Sequence, residues 1–288
     1  MQIYYYVHTG HRIGLDRFRR ATTIIRSLGD VDITLLCSDF RIAQEARDFG
    51  IKKSVGIDVI RNIPQIANNG DKLILDSDEA NPFMLEDIRQ FFSSFIRISD
   101  NINDKKALNE FLISPYLDGD GICKAYAVDD KYFQKVEKTI KVSYFFGDDD
   151  YEKDLIKYFD FIDGVETNLQ LGFYYFLDYE YELKEKFKNY YEFEDYDEMI
   201  MKSEILISSS PQAILESLAS GGKAIYFQRE DYTKDFNPLF EELNIPIIYN
   251  YDKNKLLEIL NKIETYNYYK IEQNCNKISN FIKESLTL

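Results

Sequence analysis

The sequence is poor in tryptophan, histidine and cysteine. Its 288 residues contain no tryptophan, two histidines and three cysteines. Cys37, Cys123 and Cys275 are odd in number and widely spaced, which fits neither a disulfide framework nor a set of zinc ligands. Both histidines, His8 and His11, lie in one short segment, so no convincing Ser-His-Asp or Cys-His constellation can be assembled. We therefore expect reduced thiols, no metal site and a cytoplasmic protein.

Positive charge is scarce as well. The chain has 35 Lys and Arg against 50 Asp and Glu, a formal net charge of -15. This balance argues against nucleic-acid or anionic-membrane binding over a broad surface, which requires clustered cations to neutralise phosphates. The basic residues that do cluster near the start of the chain are Arg12, Arg17, Arg19, Arg20 and Arg26. They indicate either a local pocket for a small anion or a solvated helix face, and the charge pattern leaves both open.

Long apolar runs are absent. No stretch reaches about twenty apolar residues, the length needed to span a bilayer as a helix. The opening MQIYYYV has neither the basic region nor the long apolar region of a signal peptide. We expect no transmembrane segment. The oligomeric state cannot be read from the sequence.

Short apolar runs alternate with amphipathic segments, which is typical of parallel-sheet α/β domains. The clearest predicted strands are IYYYV, DITLLCS, DKLILDSD, SFIRISD, FLISPY, KVSYFFG, SEILISSS, KAIYFQ and IPIIYN. The predicted helices cover residues 16–28, 42–49, 83–95, 151–159, 211–220, 238–244 and 254–286. Residues 173–196 are predicted as helix and strand, although their periodicity is hard to read.

Two similar series of strands and helices predict two domains. We expect residues 1–135 and 136–288 to form two Rossmann-like domains with mostly parallel sheets that face each other across a cleft. The last helix could pack back on the first domain. In such sheets, ligands bind outside the carboxyl ends of the strands.

The segment SSSPQAILESLASGG carries the strongest local signal. Ser210 is a suitable N-cap and Pro211 a suitable first-turn residue, so a helix begins here. The free N–H groups and the dipole of such a helix favour a phosphate or diphosphate. An ordinary strand-turn-helix unit explains everything in the segment except Glu216, so structural and ligand-binding interpretations both stand.

This segment resembles the C-terminal signature of GT-B sugar-nucleotide enzymes, in which a Ser/Gly loop precedes Glu-x-Leu-x-x-Gly. The resemblance implies that Ser209, Ser210 and the helix N-terminus receive the diphosphate of UDP. It also implies that Glu216 holds the ribose.

Further segments resemble the PseG/SpsG family of UDP-diacetamido-trideoxy-altropyranose hydrolases, and they follow the family's order along nearly the whole chain. They are RIGLDRFRRATTIIRSL, KLILDSD with FIRISDN, CKAYAVDDKYF, YFFGDDD and YDEMIMKSEILISSS. The resemblance implies a GT-B-like fold and no cofactor. It implies a hydrolase or glycosyltransferase-like protein that acts on a UDP-linked amino sugar in bacterial surface glycan biosynthesis of the pseudaminic acid type. UDP would leave with inversion at the anomeric carbon, and Gly147 would let the backbone approach the nucleotide.

The chain departs from this family at its N-terminal helix start. The family's Gly-His pair is Asp16-Arg17 here, whereas Gly14 and Arg20 are kept as candidate contacts to sugar or phosphate. Arg17 cannot act as a base because a guanidinium stays protonated, but it can hold an anion. His8 is then a candidate for a relocated base, or a hydrogen-bonded structural residue at a strand end. The alternative function is a degenerate sugar-nucleotide-binding or regulatory relative without hydrolase activity.

The second departure is the acidic run Asp148-Asp149-Asp150 after Gly147. Acids in a first helical turn suit the helix dipole. Beside a diphosphate they would repel it. The run therefore points away from the ligand, or the ligand is less anionic, or a divalent cation intervenes.

Overall fold

Two parallel β-sheets, of seven and six strands, organise the chain. The computed structural model describes residues 1–175, 177–187 and 189–288. Backbone contacts divide it into two units. The first comprises Met1–Ile13, Arg17–Ala127 and Gln273–Leu288, and the second comprises Gly14–Asp16 and Val128–Glu272.

The sheet of the first unit has the strand order β3-β2-β1-β4-β5-β6-β7, and all its pairings are parallel. Its strands are β1 (Ile3–Val7), β2 (Ile33–Cys37), β3 (Ser54–Gly56), β4 (Lys72–Asp76), β5 (Ser94–Ile98), β6 (Phe111–Ser114) and β7 (Ile122–Lys124). Every residue of β1 and β4 is buried. Strands buried on both faces appear in a sequence as continuous apolar runs, so IYYYV and KLIL can be recognised as strands from the sequence alone.

Three helices of the first part of the chain follow these strands: α1 (Asp16–Ser27), α2 (Phe40–Glu45) and α3 (Pro82–Phe91). The predicted helix over residues 42–49 was misplaced, because Asp39 accepts a hydrogen bond from Arg41 N and so starts α2 earlier. The prediction of a helix to residue 95 was also wrong. Phe92 is extended (φ -94°, ψ 139°), and the chain enters β5 at Ser94.

The sheet of the second unit has the order β10-β9-β8-β11-β12-β13 and is likewise parallel. Its strands are β8 (Ile140–Phe145), β9 (Asn168–Gln170), β10 (Asn189–Tyr191), β11 (Ser203–Ser208), β12 (Lys223–Phe227) and β13 (Ile247–Ile248). One of its faces carries an aromatic core in which the Tyr144 and Phe227 rings stack at 5.5 Å.

The helices of this part are α4 (Asp154–Lys157), α5 (Leu177–Lys186), α6 (Tyr196–Lys202), α7 (Pro211–Ala219), α8 (Asn237–Glu242) and α9 (Lys253–Asn261). The predicted helix over residues 151–159 is reduced to α4, because Lys153 has a left-handed φ of 59° and interrupts the turn before it. Short 3₁₀ helices lie at Ile60–Gln65, Asp130–Phe133, Phe159–Phe161, Phe193–Asp195 and Ile263–Thr265.

A final helix, α10 (Cys275–Ser285), belongs to the first unit. The single helix predicted over residues 254–286 is therefore wrong, since irregular chain separates α9 from α10. Hydrogen bonds to the first sheet hold α10 at both ends: Ser94 Oγ of β5 donates to Ser285 O at 2.9 Å, and Lys277 Nζ of α10 donates to Lys124 O of β7 at 2.7 Å. Lys72 also donates to Leu286 O. Among the helices of the described residues, none is both long and apolar enough to cross a membrane.

Candidate functional site

His8 lies at the carboxyl edge of the first sheet. Val7, the last residue of β1, pairs with Asp76, the last residue of β4, and His8 N donates to Asp76 O at 3.0 Å. Because the two strands are parallel, the residues that follow each of them emerge at one edge. The register thus brings His8 beside Asp78 and Glu79, which are about seventy residues away in sequence.

His8 and Asp78 form a hydrogen-bonded dyad. His8 Nδ1 lies 2.6 Å from Asp78 Oδ1. The bond to His8, together with the charge and hydrogen bonds of Arg17, holds the pKa of Asp78 well below its ordinary value against the effect of partial burial. An ionised carboxylate only accepts hydrogen bonds, so His8 Nδ1 carries the proton in this pair. In the neutral imidazole, the lone pair then lies on Nε2, the form needed for a general base.

Arg17 is bound to the same carboxylate. Its NH1 and NH2 groups donate to Asp78 Oδ1 and Oδ2 at 3.1 and 3.0 Å. This two-bond geometry fixes the orientation of a carboxylate better than a single contact does. The structure therefore places the predicted anion-holding residue on a carboxylate of the protein itself, where it orients Asp78.

Arg20 occupies a buried ion pair below this dyad. Its Nε and NH2 groups donate to the two oxygens of Asp76 at 2.9 and 2.6 Å, and NH1 donates to Asp100 Oδ1 at 2.6 Å. Burial alone would lower the pKa of Arg20, but Asp100 and Asp76 outweigh it and raise that pKa. Tyr5 OH donates to Asp76 at 3.2 Å. Arg20 thus ties α1 to the ends of β4 and β5.

Glu79 faces the other nitrogen of His8. Its Oε1 atom lies 4.0 Å from His8 Nε2, whereas Oε2 accepts hydrogen bonds from Tyr6 OH and from Ser77 Oγ, the latter at 3.2 Å. Sequence reasoning found His8 and missed both of its acidic neighbours. The available signal was the run DSDE directly after a buried strand.

In the second unit, the N-terminus of α7 already holds a carboxylate. Ser210 Oγ caps the helix by accepting from Ala213 N at 3.1 Å, and it donates to Asp16 Oδ1 at 2.6 Å. Gln212 N donates to Asp16 Oδ2 at 3.2 Å. Asp16, which backbone contacts assign to the second unit, therefore lies where the sequence predicts a phosphate.

The other predicted nucleotide contacts are also engaged by protein groups. Ser209 is fully buried and its Oγ donates to Phe146 O. The Glu216 carboxylate accepts from Tyr196 OH at 2.7 Å and from Gln212 Nε2 at 2.9 Å, and the residue is 1% exposed. Burial of a carboxylate without hydrogen bonds would cost free energy, and the bonds to Glu216 offset that cost.

Gly147 has a conformation that requires glycine. Its φ is +127°, and a Cβ would lie 2.9 Å from Asp149 Oδ1. Gly14, with φ +80°, faces the same carboxylate, since a Cβ there would lie 3.6 Å from Asp149 Oδ1. Both predicted glycines therefore border Asp149 and the hydroxyl of Tyr232.

Each carboxylate of the acidic run has donors within the second unit. Asp149 accepts two bonds from Arg229, at 3.0 and 3.1 Å, and one from Tyr232 OH. Asp150 accepts from the backbone N–H groups of residues 154 and 155, at the start of α4. Asp148 accepts from the backbone N–H of residue 173 at 3.1 Å.

Burial raises the pKa of both Asp149 and Asp150, and their donors oppose this. In the part of the chain that the structure describes, no group of three acidic, His or Cys residues could hold a metal ion. The expectation of acids in a first helical turn is wrong, because α4 begins only at Asp154 and Asp150 alone accepts from its first N–H groups.

Several solved structures share this architecture. S. aureus MnaA, in a co-structure with UDP, matches with a TM-score of 0.64 and 11% identity over 100% of this chain and 98% of its own. UDP-GlcNAc 2-epimerase from Methanocaldococcus jannaschii, in complex with UDP-GlcNAc and UDP, matches with a TM-score of 0.60 and 11% identity over 99% of each chain. The glycosyltransferase SnogD from Streptomyces nogalater matches with a TM-score of 0.55 and 12% identity over 100% and 95%.

These likenesses confirm the predicted fold class: the chain is an α/β protein with two Rossmann-like parallel sheets and the GT-B fold. At the level of sequence, no protein-family model and no curated protein matches it. The fold is therefore shown, whereas activity has to be argued from the residues of the site.

Proposed function

We propose that the protein is a nucleotide-sugar enzyme that cleaves the bond between an anomeric carbon and UDP, with His8 as its general base. The observation that carries this proposal is the His8–Asp78 pair at the carboxyl edge of the first sheet. The resemblance to the PseG/SpsG family suggests a UDP-linked amino sugar of pseudaminic acid-type biosynthesis as substrate. The UDP and UDP-GlcNAc present in the solved relatives support the nucleotide.

The dyad supplies the chemistry that the Asp16-Arg17 replacement removes. His8 Nε2 accepts a proton from water, or from an acceptor hydroxyl, as its oxygen bonds to the anomeric carbon. The bond from that carbon to the diphosphate oxygen breaks, and its electron pair leaves with UDP. Asp78 stabilises the imidazolium that forms, and Arg17 keeps Asp78 in place. Attack opposite the leaving group gives inversion.

Nucleotide binding would use the groups assigned by the resemblance, namely Gly147, Ser209, Ser210 and Glu216. Binding through the α7 N-terminus requires that the amide of Gln212 and the hydroxyl of Ser210 exchange Asp16 for a diphosphate oxygen. Arg20 supports the site through Asp76, and Gly14 borders Asp149.

A second candidate function is a sugar-nucleotide-binding relative without hydrolysis. The contact of Asp16 with the α7 N-terminus favours it, because a carboxylate fixed there opposes a second anion.

Calorimetric titration with UDP and UDP-GlcNAc, followed by a UDP-release assay, tests both candidates. The enzyme proposal predicts binding and release, with release lost in His8→Gln and kept in His11→Gln, the matched control. Binding without release, unchanged in His8→Gln, supports the second candidate. Absence of binding at millimolar nucleotide contradicts both.

A further inference from the structure

We propose that Glu79 is a second catalytic residue, which with His8 holds the attacking water between its Oε1 and His8 Nε2. This inference rests on the proposed function. It arises from contacts in the first unit alone, and neither the sequence motifs nor the family resemblance points to Glu79.

The distance between the two groups suits one bridging oxygen. His8 Nε2 and Glu79 Oε1 are 4.0 Å apart, which is too far for a direct hydrogen bond. An oxygen about 2.8 Å from each atom fits such a gap, as bridging waters commonly do. Both side chains are partly exposed, at 18% and 19%, so a small molecule can reach the gap.

The glutamate is held in the orientation that this role needs. Tyr6 OH and Ser77 Oγ donate to Oε2, and Ser77 Oγ also accepts from Glu79 N at 3.1 Å. Burial, and then the bond to Glu79, raise the pKa of Tyr6, so the phenol stays a donor at physiological pH. These bonds leave Oε1 as the oxygen that faces His8.

Four ionisable groups surround the His8 ring or its partners. Asp78 accepts from Nδ1, and Arg17 is bound to Asp78. Glu79 faces Nε2, and the Tyr6 phenol is bound to Glu79. Asp78 therefore fixes the tautomer of His8, whereas Glu79 is placed to accept a hydrogen bond from the substrate side.

His8 and Glu79 each interact with one O–H group of the attacking water. One O–H proton passes to His8 Nε2 as the oxygen bonds to the anomeric carbon and the diphosphate leaves with the electron pair of the broken bond. Glu79 Oε1 accepts a hydrogen bond from the second O–H, which remains in the product as the new hydroxyl. Glu79 thereby aims the lone pair of the oxygen at the carbon.

The experiment compares wild type with Glu79→Gln in two measurements. The first is NMR of the two ring nitrogens of His8, whose chemical shifts distinguish an N–H nitrogen from one that carries a lone pair. His11→Gln assigns the signals, because the chain has only two histidines. In wild type we expect an N–H nitrogen at Nδ1, which is bound to Asp78, and a lone-pair nitrogen at Nε2. In Glu79→Gln we expect the Nε2 chemical shift to move, while the Nδ1 chemical shift persists.

UDP release is the second measurement. Glu79→Gln keeps an oxygen that can accept from Tyr6, so we expect its melting temperature to match that of the wild type. We expect kcat to fall by about 10²-fold, the loss expected when an attacking group is no longer held in position, with KM nearly unchanged. A drop in kcat/KM through KM alone, or full activity, overturns the proposal.

The two measurements separate the possible failures. An unchanged Nε2 chemical shift in Glu79→Gln shows that Glu79 does not face His8, whatever the activity. No UDP release by wild type refutes the proposed function, and the catalytic role of Glu79 falls with it, while the NMR result still decides whether the pair exists.

Discussion

Asp16 accepts a hydrogen bond from Ser210 Oγ at 2.6 Å, across 194 positions of sequence. The same carboxylate accepts from Gln212 N, so it takes the place of an external anion at the start of α7. Asp16 therefore has a definite physical role at the start of α7.

We expect Asp16→Asn to tighten UDP binding. Removal of the negative charge at the α7 N-terminus frees its amides for a diphosphate, and helix-terminal charges contribute about 1–2 kcal/mol in partly buried settings. Affinity should rise by about 5- to 30-fold, as measured by calorimetry. Asp30→Asn is the control, since it changes net charge equally at a fully exposed side chain. Equal affinity in all three proteins would show that Asp16 does not compete with nucleotide.

Asp78→Asn should reduce kcat more than it reduces stability. An amide in place of the carboxylate can donate to His8 Nδ1, which favours the tautomer with the proton on Nε2 and removes the base. We expect kcat for UDP release to fall by about 10²- to 10⁴-fold. Because the Asp78 side chain is 62% exposed, the melting temperature should change little. Nitrogen chemical shifts of His8 will report the tautomer directly, and an unaltered tautomer would contradict the expected cause.

Arg229→Met should destabilise the second unit. Arg229 and Asp149 are both almost fully buried and share two hydrogen bonds, so the variant leaves Asp149 without its countercharge. Breaking a buried pair costs about 3–5 kcal/mol, which urea unfolding can measure. Asp231→Asn removes the exposed partner of the same arginine and should cost less than about 1 kcal/mol. Similar decreases in the free energy of unfolding for Arg229→Met and Asp231→Asn would contradict a stabilising role for the buried Arg229–Asp149 pair.

Lys138 should make stability increase with pH. Burial lowers its pKa from 10.5 to about 8, and its acceptors, Met201 O and Ser220 Oγ, are neutral. Between these two pKa values the unfolded chain binds more protons than the folded chain, so the free energy of unfolding rises with pH across that window.

Lys138→Met removes this contribution. The wild type should therefore gain stability relative to Lys138→Met between about pH 8 and 10.5, as measured by denaturant titration. Lys135→Met, at an exposed position of the same segment, should follow the wild type. A constant difference between wild type and Lys138→Met over this range would contradict the expected proton linkage.

Strands and helices were predicted correctly from the sequence where burial of a segment, or the residues that start a helix, give a clear sequence pattern. β1 is an apolar run of five residues, β11 contains the apolar residues 205–207, and α7 has both a capping serine and a first-turn proline. The three-residue strands β3, β7 and β9 were missed because so short a segment has no measurable period. Helix ends failed where a local cap decided them, as at Asp39.

The candidate site was predictable only in part. His8 and Arg17 stood out because histidine is rare and the N-terminal arginines are clustered. Their partner Asp78 lies beyond three further strands, and only the parallel register of β1 with β4 brings it to them. The charge pattern left open a pocket for a small anion or a solvated helix face, since it does not show that Asp76, Asp78 and Asp100 meet Arg17 and Arg20.

The return of α10 to the first unit has a consequence for the order of folding. The second unit is almost continuous in sequence, so it can form as soon as residue 272 has been synthesised. The first unit is completed only when α10 reaches Ser94 and Lys124, after the whole second unit has been made. Until then, the faces of β5 and β7 that meet α10 stay uncovered. The first half of the chain to be synthesised is thus the last to mature, and during that interval it is the part most exposed to aggregation.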